Sequence, residues 1–390
     1  MKYIILGSVN YANRRLVYEF KKKGLEASIL DPVNILSFVN DKRDDRIYIQ
    51  GFTETPQRIY KKHLKGIVPR IGKDLQFHAK TVEHINKNIG VPTTATATGL
   101  LNAQDKFLTT QLLSQAGVKT PKTFAVKKTD NPKWIVEMLG GFPIVAKINY
   151  GSQGVGVFIL TEELSASTAL STFTALGHNL ILQEFVETAK DDTRKHDFRA
   201  VVVNGQVVAA IKRNSTNGDF RTNASIKDDC EGIELDEDMK AVAIKAAEAV
   251  GLSVAGVDLA RHYETKEIYC YEVNGNANFK ATEKYSKKNV AKAIVEYMMT
   301  LTGEKEEATD VQMKQGWEYE FIKDIYLPVI EGLPFGDDTD EDASDEMGAK
   351  VVNIKFEKSR YDNGMKSIFD PFIGLQEKQK EAVKMIGRFS

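Results

Sequence analysis

A chain of 390 residues is long enough for two or three domains around a sizeable buried core. Its 53 basic and 54 acidic residues leave a net charge of -1, which excludes a general attraction to nucleic acid or to anionic membranes, so any polyanion site must be local. Two cysteines, Cys230 and Cys270, offer neither a disulfide framework nor a metal-ligand spacing, and a reducing, cytoplasmic setting is expected.

The apolar run directly after Met1 and Lys2 reads as a first β-strand and not as a signal peptide, and no run approaches a membrane span. Residues 1–100 alternate short apolar runs (YIILG, ASILD, GIVPRIG) with helical stretches at Arg14–Lys23 and His78–Asn88, the pattern of a small doubly wound βαβ layer. The first turn, Gly7 to Asn10, has one glycine where a dinucleotide fingerprint needs three, which argues against a nicotinamide or flavin site. Helices are predicted over Asp105–Gln115, Trp134–Leu139, Asp238–Val250 and Asn289–Thr300. Strands are predicted at PIVAKI, LILQEFV, SVAGVDLA, EIYCYEVN and RAVVVNGQVVAAIKR, the last folded at an Asn204-Gly205 hairpin turn. Past Gly303 the composition changes, and the acidic stretch 336–346 reads as a solvated linker before one more strand, KVVNIKF.

Chemistry enters at Lys147–Ile159, KINYGSQGVGVFI, where a lysine closes a strand just before a glycine-rich turn. One cation and several backbone N–H groups can thereby surround a polyphosphate, although the spacing of Gly151, Gly154 and Gly156 is neither a P-loop nor a dinucleotide loop. Further along, Asp258 is read at the end of one strand, and Glu272 with Asn274 at the end of another. Glu272 and Asn274 share a face because strand side chains repeat every two residues. Two carboxylates and an amide without His or Cys suit Mg²⁺.

These parts occur in the order found in ATP-grasp ligases, and residues 1–303 resemble the RimK-like amino acid ligases. The motifs carrying the resemblance are PRIG at 69–72, QDK at 104–106, GSQGVGV at 151–157, QEFV at 183–186 and Asp197-Phe198-Arg199. AAIKR at 209–213, GDFRTN at 218–223, AGVDL at 255–259 and EVN at 272–274 complete the series.

The resemblance implies an α/β ATP-grasp fold behind an N-terminal doubly wound domain. The implied domains are 1–100, 101–186 with the lid loop, 187–303 with the metal ligands, and an extension at 304–390. It further implies that Lys106 and Lys147 reach the ATP phosphates under a mobile lid of Gly151, Ser152, Gln153, Gly154 and Gly156. Gln183, Glu184, Phe185 and Val186 would line and read the adenine, Asp197 would contact the nucleotide, and Lys212 and Arg213 would supply cations, Arg213 at the transferring γ-phosphate. Asp258, Glu272 and Asn274 correspond to ligands of Mg²⁺ or Mn²⁺. Arg70, Arg221 and Asn223 are candidates for holding substrate carboxylates, because an arginine fork binds a carboxylate bidentately.

The implied activity is ATP-dependent amide formation through an acyl phosphate, adding glutamate or another amino acid to a peptide, protein end or small metabolite. Other readings are a peptide-maturation ligase that closes side-chain amides or esters in a precursor, and an ATP-binding module without catalysis. A homo-oligomer is expected, with neither membrane nor nucleic acid as partner. Two departures stand out: Gly275-Asn276-Ala277-Asn278 replaces the Ala-Ser-Pro-Gly typical of glutamate-adding members, and the segment 304–390 has no counterpart in the usual ligase.

Overall fold

The computed structural model describes residues 2–304 apart from 41–45, 52–54, 128–130, 150–155, 191–194 and 216–228. Gly151, Ser152, Gln153, Gly154, Arg221, Asn223 and the segment beyond 304, with its acidic stretch 336–346, lie outside the described residues.

The chain opens with β1 (Lys2–Gly7), α1 (Tyr11–Lys22) and β2 (Glu26–Leu30). Next come β3 (Ile35–Phe38), β4 (Arg46–Ile49), β5 (Gln57–Ile59), β6 (Leu64–Arg70) and α2 (Leu75–Glu83), which runs on as a π-helical turn, His84–Ile89. β1 sits between β2 and β6, parallel to both. Its alternating residues are buried on opposite faces: Ile4 and Leu6 pack with Leu75, Ala79 and Val82, whereas Tyr3 and Ile5 pack with Leu16 and Phe20 of α1. Cover on both faces is what a parallel sheet requires, and it explains the unbroken apolar runs. β3, β4 and β5 form a separate antiparallel sheet that the apolar pattern does not announce, since three of the four β3 residues are exposed.

A second layer follows: α3 (Ala97–Gln104), α4 (Lys106–Gln115), β7 (Thr123–Val126), α5 (Pro132–Leu139), β8 (Ile144–Ile148), β9 (Val157–Leu160), α6 (Glu163–Ala175) and β10 (Leu180–Glu184). The antiparallel sheet runs β7-β10-β8-β9 and buries Ile144, Ala146, Leu180 and Leu182 against Ile135, Leu139, Ala166 and Leu170. α5 starts at Pro132, earlier than the predicted Trp134, because Asn131 caps it by accepting from Trp134 N and proline suits the first turn. Asp105 caps α4 in the same way and leaves Lys106 as its first residue.

The third layer comprises β11 (His196–Val203), β12 (Gln206–Asn214), β13 (Cys230–Gly232), α7 (Glu237–Val250), β14 (Val254–Arg261), β15 (Ile268–Asn274), α8 (Lys280–Ser286) and α9 (Val290–Thr302). The strand order is β13-β12-β11-β14-β15, antiparallel throughout. Asn204 and Gly205 turn the β11–β12 hairpin at φ 49° and 72°, the left-handed pair such a tight turn needs. Ala200, Val202, Val257, Leu259 and Val273 face α7. On the opposite face Val201, Val203, Ala209 and Val254 meet Ile294, Val295 and Met298 of α9. Asp258 stands inside β14 and not at a strand end as predicted, because the strand continues to Arg261 in register with Ile268. Among the described residues no helix is long and apolar enough to cross a membrane.

Candidate active site

Cross-strand register assembles the site on the face of the five-stranded sheet that α9 covers only in part. Arg213 of β12 lies opposite Asp197 of β11, Arg199 of β11 opposite Asp258 of β14, and Asp258 opposite Glu272 of β15. Directly opposed residues project to the same side of an antiparallel sheet, as do residues two apart on one strand. Arg213, Asp197, Arg199, Asp258, Glu272 and Asn274 therefore share one face. Lys212 falls on the other: it is the neighbour of Arg213, and its Nζ pairs with Glu231 of β13 at 3.2 Å.

The charged row is tightly paired. Arg213 donates to both oxygens of Asp197, at 2.7 and 2.5 Å, and its Nη2 stands 3.3 Å from Asp258 Oδ1. Arg199 grips the two oxygens of Asp258, each at 2.7 Å. Burial would raise the Asp258 carboxyl, but Arg199 and Arg213 outweigh it and hold the group below the ordinary carboxylate range. Burial likewise opposes the charge on Arg213, and the carboxylates of Asp197 and Asp258 more than offset it, raising that guanidinium above its usual value. Asp197 thereby fixes the Arg213 fork in the plane of its carboxylate.

Two lysines arrive from the second layer. Lys106, at the N-terminus of α4, has its Nζ 3.6 Å from Glu272 Oε1. Lys147 of β8 lies with its Nζ 5.7 Å from the centroid of the Tyr271 ring. Burial lowers the Lys147 ammonium, the carboxylates of Glu272 and Asp258 pull the other way, and Lys106 adds to the lowering. Asn149, buried just beyond β8, accepts from Phe107 N at 3.1 Å and so ties the start of the glycine loop to the first turn of α4. At the loop's far end Gly156 adopts φ 76°, and a Cβ there would come within 2.5 Å of Ile148 Cδ1, so both backbone and space demand glycine.

At the end of β10, Gln183 Nε2 donates to Thr123 Oγ1, and the Glu184 carboxylate accepts from Lys122 N. Glu184 N–H donates to the Lys122 carbonyl, which extends the β10–β7 pairing by one residue. Val186 packs with Ala260, Tyr269 and Tyr271 in a small apolar cluster, and Lys195 lies 4.4 Å over the Phe185 ring.

Asp258, Glu272 and Asn274 present hard oxygens on one face, and the Asn274 Nδ2 is buried without a hydrogen-bond partner. Among the described residues no three His, Cys, Asp or Glu side chains gather as a metal cluster. An ion here would use two carboxylates, one amide oxygen, and water or phosphate oxygens, a set that fits Mg²⁺.

Arg70, the last residue of β6, approaches this region from the N-terminal layer and is 5% exposed. It donates to Asn13 Oδ1 at 3.2 Å and to the Ala277 carbonyl at 2.8 Å, and it lies 5.4 Å over the Phe279 ring. None of these partners is anionic, and burial pushes the guanidinium down to about 10. Arg70 thus joins the loop after Asn274, which packs so closely on β14 that a Cβ on Gly256 would meet Ala277 Cβ at 2.4 Å. Sequence reasoning gave no role to Arg199 or Asn149, although Arg199 closes one of the quoted motifs; the register that pairs it with Asp258 is the missing signal.

Comparison with known proteins agrees with this architecture. Residues 103–298 match the RimK-like ATP-grasp domain family. A probable alpha-L-glutamate ligase 1 from Shewanella denitrificans is 32% identical over 289 residues, 74% of this chain and 93% of that protein. A probable alpha-L-glutamate ligase from Methanococcoides burtonii is 30% identical over 292 residues, covering 74% and 91% of the two chains. Among solved structures, the ATP-grasp ligase PsnB complexed with minimal precursor, Mg and ADP aligns with TM-score 0.58 at 14% identity, over 77% of this chain and 98% of that one. The macrocyclase MdnC bound with precursor peptide MdnA, from Microcystis aeruginosa, aligns with TM-score 0.56 at 14% identity, over 77% and 99%. At such identities the structural likeness is one of fold, and that fold is ATP-grasp. With half of its length matched by the domain family and a 32% identical relative aligned over 74% of it, the chain belongs to the RimK-like ATP-grasp ligases, enzymes that form carbon–nitrogen bonds.

Proposed function

We propose that this protein uses ATP and Mg²⁺ to join a carboxylate to an amine, adding an amino acid, glutamate in the first instance, to the end of a peptide, a protein or a small metabolite. The observation that carries the reading is the meeting of Lys106 of α4 and Lys147 of β8 with the Asp258–Glu272–Asn274 face of the five-stranded sheet. A lone nucleotide-binding module has no need of such a constellation.

In this reading Lys106 and Lys147 hold the phosphates, and Arg213, fixed by Asp197, faces the charge that develops on the γ-phosphoryl group. Asp258, Glu272 and Asn274 would hold the ion, which supplies charge neutralisation and alignment of the phosphate oxygens. The substrate carboxylate displaces ADP at the γ-phosphorus, and the amine then attacks the acyl carbon and expels phosphate. Arg70, buried among neutral partners, is proposed to take a substrate carboxylate, since a planar fork with donors to spare matches that shape. Water would hydrolyse the acyl phosphate, which gives a closing glycine loop its purpose. Free cysteines at 230 and 270 suit a reducing cytoplasm.

The test is phosphate release from ATP and Mg²⁺ with pooled amino acids and peptides, followed by mass spectrometry of the products. Amine- and carboxylate-dependent release with a mass gain of one residue is expected. A melting temperature raised by ATP with no phosphate released would reduce the protein to a binder.

A further inference from the structure

Around Asp258 four cations, Lys106, Lys147, Arg199 and Arg213, meet three carboxylates, Asp197, Asp258 and Glu272. Asp258 has a guanidinium nitrogen on each oxygen at 2.7 Å and a second arginine at 3.3 Å, and it is 3% exposed. A bare divalent cation approaching this carboxylate meets a surplus of positive charge and oxygens already engaged. A nucleotide triphosphate or diphosphate reverses that balance, because its phosphates give the lysines and arginines another anion to pair with.

We infer that Arg199 is a positioning residue of the active site, which by occupying Asp258 makes metal loading conditional on the nucleotide. This rests on the proposed metal-ligand role of Asp258 and goes beyond it. Arg199 suits the task better than Arg213: its fork spans both oxygens of Asp258, whereas Arg213 spends its own fork on Asp197. It is also the less enclosed of the two, with 15% of its side chain accessible against 3%, so it can swing aside.

The experiment is titration of the full chain with Mn²⁺ alone, followed by electron paramagnetic resonance of the free ion, for wild type and for Arg199→Gln. Changes in groups bonded to a metal ligand commonly shift metal affinity by about 10–100-fold. Here the expected direction is a gain: weak nucleotide-free binding in wild type and at least about tenfold tighter binding in Arg199→Gln, lost again in Arg199→Gln/Asp258→Asn. Affinity that is unchanged or weaker in Arg199→Gln overturns the inference and leaves Arg199 as a support for the carboxylate. So does a gain that survives Asp258→Asn. Should Arg199→Gln fail to fold, wild type decides alone, since nucleotide-free binding as tight as that with saturating ADP also overturns it. The underlying metal assignment has its own control: Asp258→Asn in the wild-type background must weaken Mn²⁺ binding in the presence of ADP, whatever Arg199 does.

Discussion

Asp258 and Glu272 differ in surroundings although they face each other across β14 and β15, the one gripped by two arginines and the other approached by a lysine at 3.6 Å. Asp258→Asn and Glu272→Gln remove metal charge without removing volume, so turnover should fall to near background while the far-ultraviolet circular dichroism stays that of wild type. Wild-type turnover in either variant ends its assignment as a ligand. Asp258 also carries a pH signature. Its carboxyl is held below the ordinary 3.8, so the folded state binds fewer protons there than the unfolded state. The stabilisation is present above 3.8 and fades as pH falls through the lower folded value. The gap in melting temperature between wild type and Asp258→Asn should therefore narrow on acidification. Lys147→Ala should weaken nucleotide binding by about 1–3 kcal/mol, the scale of a lost charge-assisted contact, as read by calorimetry. Unchanged affinity would take Lys147 out of the phosphate site. Of these roles, the pairing of Glu272 with Asn274 could be read from an interval of two residues, whereas the meeting of Arg199 with Asp258 needed the sheet.

The elements around the site are held in place by close approaches. Gly256 is the point at which β14 touches the loop that follows Asn274, and a methyl there would overlap Ala277 Cβ at 2.4 Å. Gly256→Ala should push that loop, with the Arg70–Ala277 bond, away from the site. Steady-state kinetics should then show a raised KM for the amino acid or acceptor with little change for ATP, and equal effects on both would mean that the whole sheet had shifted. The helices near the site were legible from their local apolar spacing and the hairpin from its Asn204-Gly205 turn, whereas the Asn131 cap that starts α5 at Pro132 was passed over. The β3–β4–β5 sheet was not, since strands of three or four residues with mixed exposure have no periodicity to detect.

At the scale of the whole molecule α9 is the clasp between layers. Val290, Ile294, Val295 and Met298 pack with Tyr3 and Val68 of the parallel sheet and with Val201 and Val203 of the five-stranded one. Lys65 and Glu304 add an ion pair at 2.8 Å where the helix ends. A chain cut after Glu304 should accordingly fold and still hydrolyse ATP slowly, while its acceptor kinetics or its oligomeric state changes; light scattering and kinetics beside the full chain would check this. Identical acceptor kinetics and the same number of subunits would make 305–390 an independent appendage. A chain cut before Val290 should not fold, because it exposes the apolar faces of two sheets at once.

The sequence by itself determined the class of the protein, because phosphate cradles, hairpin turns, caps and strand pairs are written in contiguous residues or at intervals of two to four. PRIG, GSQGVGV, QEFV, AGVDL and EVN stand in family order, and order along the chain needs no coordinates. What only the tertiary structure decided is which charges meet. Arg199, Arg213, Asp258 and Glu272 lie on four strands, and antiparallel register, fixed by the burial of alternate residues under α7 and α9, sets them side by side. The same register turns Lys212 away and lodges Asp258 between two guanidinium groups. A one-residue slip would reverse every one of these placements, and nothing in the spelling of a single strand records its partner's register.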